Sequence, residues 1–182
     1  GKTVFTGLFT RYLMDAGLGV RAVKPFCSGG KADIEFLQAA QGGLGQEDLN
    51  FWYSDEPISP AAVELRHGQA VDFDSCIAWT QRKHAEAGVL LVEGVGGLLA
   101  PLTKEKTVAS IGQVIGAQLI VVAPNRVGVI NQVLLTVEVA AKRGLEVVCV
   151  VLMGQKVPDD SVPENADLIC QNLPEMTAFK GV

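Results

Sequence analysis

The feature that most constrains the fold is a repeated one. Val89-Leu90-Leu91-Val92 is an unbroken apolar run closed by Glu93, and Gln118 to Ala123 and Glu146 to Leu152 repeat the pattern. Continuous runs rich in β-branched residues, rather than alternating ones, are what strands covered on both faces look like. Helical spacing fills the intervals, with helices expected at 32–41, from an opening Pro57-Ile58-Ser59-Pro60 to about Arg66, and at 73–86, 107–115, 130–143 and about 162–172. A first helix precedes them, in which Val4, Phe5, Leu8, Phe9, Tyr12, Leu13 and Ala16 recur as one apolar face before Gly17 and Gly19 end it. Val20 to Lys24 is a short strand running into a loop, Lys24 to Gly30. Gln41 to Asn50 is a Gly-rich loop, and Phe51-Trp52-Tyr53 is extended. Strands alternating with helices at about 30-residue spacing predict a doubly wound, mostly parallel α/β sheet with helices on both faces.

Composition narrows the functional classes. At 182 residues the chain is expected to form one domain with a substantial core. A net charge of −5 and the lack of a basic stripe argue against nucleic-acid binding. No apolar run approaches the roughly 18 residues that span a bilayer, so no membrane association is expected. Cys27, Cys76, Cys149 and Cys170 are scattered without a C-x-x-C pair, which reads as reduced thiols of a cytoplasmic protein rather than metal ligands. His67 and His84 stand in polar, helix-like stretches and read as solvated.

In a doubly wound sheet the ligand sits beyond the carboxyl ends of the strands, and four groups of polar residues fall there. Lys24, with Ser28 and two glycines, could neutralise a transferring phosphoryl group, or be a surface lysine before a turn. Asp33 could act at the same site or merely favour a helix dipole. Glu93, at the end of an apolar strand and followed by Gly94, Gly96 and Gly97, has no stability role there and is better suited to metal coordination or general base work. Asn125 to Asn131 leads into a helix, as an anion site or a plain turn. Gly1-Lys2-Thr3, at the mouth of the first helix, matches the last three residues of a phosphate-binding loop, G-x-x-x-x-G-K-[ST], whose front half is missing.

Gly1-Lys2-Thr3, Lys24-Pro25-Phe26-Cys27-Ser28-Gly29, Asp33, Glu56-Pro57-Ile58-Ser59-Pro60, Val92-Glu93-Gly94-Val95-Gly96-Gly97, Pro101-Leu102 and Gly128-Val129-Ile130-Asn131, in this order and spacing, resemble dethiobiotin synthetases. The resemblance runs to about residue 152 and implies a P-loop NTPase-like fold, a homodimer, and one ligase domain over 1–182 truncated at both ends. It implies conversion of 7,8-diaminononanoate, CO₂ and MgATP to dethiobiotin, ADP and phosphate. By the same resemblance Lys2 and Lys24 are catalytic, and Gly1, Lys2, Thr3, Glu93, Gly94, Gly96 and Gly97 bind nucleotide. Thr3, Asp33 and Glu93 surround Mg²⁺. Ser28 binds substrate together with Lys24, and Gly128, Val129 and Asn131 hold its carboxylate across the dimer interface. Three departures stand out: the front of the phosphate loop and the strand expected before it are absent, Met153-Gly154 occupies the place of the family's adenine-reading asparagine, and the segment that closes over the base is cut short at Val182. The rival classes are a partition-type switch ATPase and a cobyrinic acid amidating synthetase. The first would need a membrane- or DNA-binding surface, and the second lacks this lysine-proline loop.

Overall fold

The computed structural model describes residues 1–173; Val182, at which the base-closing segment was expected to end, lies outside the described residues. The chain divides into two compact units, one of Lys2–Ile111 and one of Gly1 with Gly112–Val182. The elements run α1 (Lys2–Asp15), β1 (Val20–Val23), β2 (Phe26–Ser28), α2 (Ala32–Ala40), α3 (Gln46–Leu49), β3 (Trp52–Ser54), α4 (Pro60–His67), α5 (Phe73–Ala85), β4 (Val89–Val92), α6 (Val108–Ile115), β5 (Leu119–Pro124), α7 (Val129–Lys142), β6 (Val147–Met153) and α8 (Val162–Asn172). The class is therefore mixed α/β. Its strands join in three parallel pairs, β1 with β4, β2 with β3 and β5 with β6. Two expected loops contain short elements, β2 between Lys24 and Gly30 and α3 between Gln41 and Asn50.

In the unit of Lys2–Ile111, Ala22, Leu37 and Leu49 form a fully buried centre against which Leu44 and Leu91 pack. Local chemistry sets the helix ends. Ser59 caps α4 by accepting from Ala62 N with Pro60 behind it, and Gly68 closes the helix in the left-handed region at φ 68°. Asp72 caps α5 by accepting from Ser75 N.

The face that α1 buries differs from expectation. Gly7 and Thr10 are its buried residues, whereas Val4, Leu8 and Tyr12 are 42%, 62% and 68% exposed. The reason is helix approach. A β-carbon on Gly7 would lie 2.5 Å from Phe36 Cε1 and 3.5 Å from Ala40 Cβ, so α2 seats on the one stripe of α1 that carries almost no side chain. Thr10 turns its hydroxyl back to Thr6 O at 2.6 Å and is buried without an unpaired polar atom.

β4 was expected to be covered on both faces, yet all four of its residues are half-buried. Among the described residues it pairs only with β1. In the other unit, α7 buries Val129, Val133, Val137 and Ala140, one stripe at helical spacing. A polar ring joins the chain after β5 to the chain after β6. Asn165, 2% exposed, donates to Asn125 Oδ1 (2.8 Å) and Ser161 Oγ (3.2 Å). Asp159 accepts from Val127 N (2.8 Å) and Ser161 Oγ (2.6 Å). Among the described residues no helix is long and apolar enough to cross a membrane.

Candidate active site

The site begins with a register. β1 and β4 run parallel with Val23 opposite Val92, so the next residues, Lys24 and Glu93, leave the two strands side by side. Glu93 N donates to Val23 O at 2.8 Å, which carries the ladder one step past the strands. Side chains at matched positions of neighbouring strands point the same way, and here they meet: Lys24 Nζ lies 2.7 Å from Glu93 Oε1. Both residues are buried, at 4% and 5% exposure.

Two helix starts complete the cluster. Thr3, in the first turn of α1, donates its hydroxyl to the same Glu93 Oε1 at 2.7 Å. Asp33, in the first turn of α2, places Oδ2 2.9 Å from Lys24 Nζ while its side chain stays 46% exposed. Glu93 is thus used asymmetrically: Oε1 receives two donors, and Oε2 is buried with no hydrogen-bond partner among the described residues.

The charges act on one another. Burial works to lower the Lys24 pKa, but Glu93 and Asp33 more than offset it and the ammonium is held above its ordinary range. Lys2 is pushed down, by burial first and by the Lys24 charge second. Burial works to raise Asp33, but the Lys24 contact wins and holds its carboxyl below the usual range. Two cations and two carboxylates at close quarters make a site of balanced charge, suited to a polyanion that arrives with a cation.

Lys24 is carried on a heavily anchored loop. Lys24 N donates to Leu49 O at 2.7 Å. The buried Asn50 amide donates to Lys24 O (2.8 Å), Pro25 O (3.3 Å) and Trp52 O (2.9 Å). Gln41 bonds Ala22 on both its N–H and its C=O, pinning β1 two residues before Lys24. Sequence reasoning missed Asn50 and Gln41, which bound a stretch that reads as a Gly-rich loop; the one available signal was an amide at each of its ends.

The other expected residues distribute as follows. Ser28 pairs with Ser54 at the carboxyl ends of β2 and β3. Gly29 follows at φ 80°, its N donating to Ser54 O at 3.0 Å, and a β-carbon there would lie 2.9 Å from Pro57 Cα. Only glycine fits that crossing. It brings the lysine-proline loop onto the Glu56–Pro60 loop. Gly94 packs under Val108, while Gly96 and Gly97 are exposed. Gly1, Gly128, Val129 and Asn131 belong to the other unit. There Gly1 lies beside Met153, Gly128 starts α7 at φ 87°, Val129 is fully buried, and Asn131 is exposed. Gly154 is exposed, and among the described residues a β-carbon there would meet nothing within 4 Å beyond its chain neighbours. His67 bonds Glu56 at the surface, and all four cysteines are free.

Known proteins match this chain along its length. The family model described as AAA domain (AAA_26) matches residues 1–177. The ATP-dependent dethiobiotin synthetase BioD of Corynebacterium glutamicum strain R is 33% identical over 187 aligned positions, covering 100% of this chain and 79% of that protein. The ATP-dependent dethiobiotin synthetase BioD of Anaeromyxobacter dehalogenans strain 2CP-C is 35% identical over 172 positions, 91% of this chain and 77% of its own length. That of Bacillus thuringiensis strain Al Hakam is 33% identical over 176 positions, 93% and 73%.

Proposed function

Since this chain belongs to the ATP-dependent dethiobiotin synthetase family, we propose that it joins CO₂ to 7,8-diaminononanoate and closes the ureido ring with ATP, giving dethiobiotin, ADP and phosphate. The observation that carries this reading is the meeting of Thr3, Lys24, Asp33 and Glu93 at the ends of paired parallel strands. The finer fold that goes with it is a doubly wound, P-loop NTPase-like sheet with helices on both faces.

A divalent cation of the magnesium type fits the donor set. Glu93 Oε2 is a buried carboxylate oxygen without a partner, and Thr3 and Asp33 flank it through Glu93 and Lys24. Among the described residues no three His, Cys, Asp or Glu side chains could hold a metal by themselves. That suits Mg²⁺, which takes one or two carboxylates and completes its shell with phosphate oxygens and water. When bound there, it would neutralise charge on the phosphates.

The chain's own groups do the rest. Lys2, at the first position of α1, meets the terminal phosphates of ATP. One amine of the substrate takes up CO₂ to form a carbamate, and Lys24 with Ser28 holds that carbamate beside the γ-phosphate. As the carbamate oxygen attacks the γ-phosphorus, the bond to the β,γ-bridging oxygen breaks and ADP leaves; negative charge spreads over the transferring oxygens, and the Lys24 ammonium counters it. The second amine then attacks the carbonyl of the mixed anhydride, and phosphate leaves. The glycines after Glu93 line the phosphates, while the N–H groups after Gly128 and the Asn131 amide receive the substrate carboxylate in a homodimer. The protein works in the cytoplasm.

The test is ADP release, measured with and without 7,8-diaminononanoate and bicarbonate. Release that requires both is the expected result. A rate indifferent to both would identify a switch ATPase instead.

A further inference from the structure

Lys24 is placed for a role other than touching substrate. Its ammonium bridges Glu93 Oε1 at 2.7 Å and Asp33 Oδ2 at 2.9 Å, the same two carboxylates that the proposed function assigns to the divalent cation. We propose that Lys24 is the resident counter-cation of this carboxylate pair. The divalent cation displaces it on arrival with nucleotide, and Lys24 is released toward the γ-phosphate only then. This inference rests on the metal site of the proposed function and adds an order of events to it.

Three observations carry it. Glu93 has 2% side-chain exposure, and a carboxylate so buried requires a positive partner, which Lys24 supplies. Lys24 is equally enclosed, at 5% side-chain exposure, so it cannot turn to water when it leaves and must find another anion. The Lys2, Lys24, Asp33 and Glu93 side chains sum to zero charge, so a bare divalent cation would add a net +2 beside two ammonium groups. A cation that arrives with a nucleotide brings its own negative charge and meets no such opposition. Lys24 therefore acts as a gate on charge: the carbamate-holding lysine is withheld until the phosphates that will receive the attack are in place.

Asp33 is the element that yields. Its side chain is half-exposed while that of Glu93 is not, so the Lys24–Asp33 contact opens at low cost in desolvation. Thr3 has no need to move, because a hydroxyl that donates to Glu93 still has lone pairs for a cation.

The experiment compares Mg²⁺ binding by calorimetry in the unmodified protein and in Lys24→Gln, first without nucleotide and then with a non-hydrolysable ATP analogue. Glutamine keeps a donor for Glu93 but removes the charge. Without nucleotide the variant should bind Mg²⁺ more tightly by roughly tenfold or more, and the analogue should narrow the gap. Equal or weaker binding by the variant without nucleotide, in proteins that both bind Mg²⁺ with the analogue, overturns the gate alone. Absence of Mg²⁺ binding in both, even with the analogue, overturns the metal site and the gate with it. If Lys24→Gln does not fold, a crystal structure of the unmodified protein with Mg²⁺ and the analogue decides. Lys24 Nζ should then lie beyond about 3.5 Å of both carboxylates, and retention of both contacts overturns the proposal.

Discussion

At the scale of single residues, Glu93 ties stability to chemistry. Its Oε1 takes bonds from Thr3 and Lys24 while its Oε2 is left without a partner. On the proposed function, Glu93→Gln should lower kcat roughly a thousandfold or more, because a metal-facing carboxylate there would contribute several kcal/mol to the transition state. The same change leaves Lys24 with one charged partner instead of two, and should cost about 1–3 kcal/mol of stability. Steady-state rates at saturating Mg²⁺ and urea melts measure the two effects separately; near-normal turnover would remove Glu93 from the mechanism. Lys24→Met should act on chemistry. In the proposed function the ammonium would counter charge that develops during transfer, so kcat should fall while KM for ATP changes little. A collapse of ATP affinity with kcat preserved would make Lys24 a nucleotide ligand instead.

At the scale of elements, the lysine-proline loop is held by contacts it does not itself contain. Asn50 satisfies Lys24 O, Pro25 O and Trp52 O, and Gly29 gives passage to Pro57. Gly29→Ala would place a β-carbon 2.8 Å from Pro57 Cβ and 2.9 Å from its Cα, at a φ of 80° that side chains avoid. The clash is with backbone rather than with a movable side-chain tip, so the variant should lose about 1–3 kcal/mol in denaturant melts. An unchanged midpoint would show that the two loops do not need this crossing. The lysine at the strand end, the glycines and the proline loop are legible as a sequence pattern because each is a local backbone demand. Asn50 is not, since an asparagine at the end of a loop gives no sign of which carbonyls it will find.

At the scale of the whole molecule, ligand binding should appear as stability. MgATP at about a hundredfold excess over its Kd adds about 2.7 kcal/mol, a rise of roughly 5 °C or more in Tm for a chain of this size. No rise under those conditions would contradict nucleotide binding by this protein. If the base is read at Met153-Gly154, as the resemblance implies, base selection should be loose, because Gly154 is exposed and carries no side chain, and the neighbouring Gln155 amide is spent on Met153 O at 3.0 Å. One missing hydrogen bond is worth about 1 kcal/mol net. Rates with ATP, GTP and CTP should accordingly lie within about tenfold of one another. A preference for ATP above roughly a hundredfold would show that another segment reads the base.

Local chemistry determined what could be determined locally. Apolar runs of β-branched residues announce strands, and helical spacing closed by glycines such as Gly17 and Gly19 announces helices. A carboxylate or lysine at a strand end announces a ligand-facing edge. All of these depend on neighbours a few residues away, so they survive without knowledge of the fold. Only the tertiary structure decided which stripe of α1 is covered. Both stripes are available to a helix of this composition, and the close approach of α2 selects the one built on Gly7 and Thr10, leaving Val4, Leu8 and Tyr12 outside. It alone decided that Lys24 and Glu93, 69 residues apart, meet through Nζ and Oε1. That meeting depends on the parallel register of β1 and β4, a set of hydrogen bonds between distant segments that no local pattern encodes.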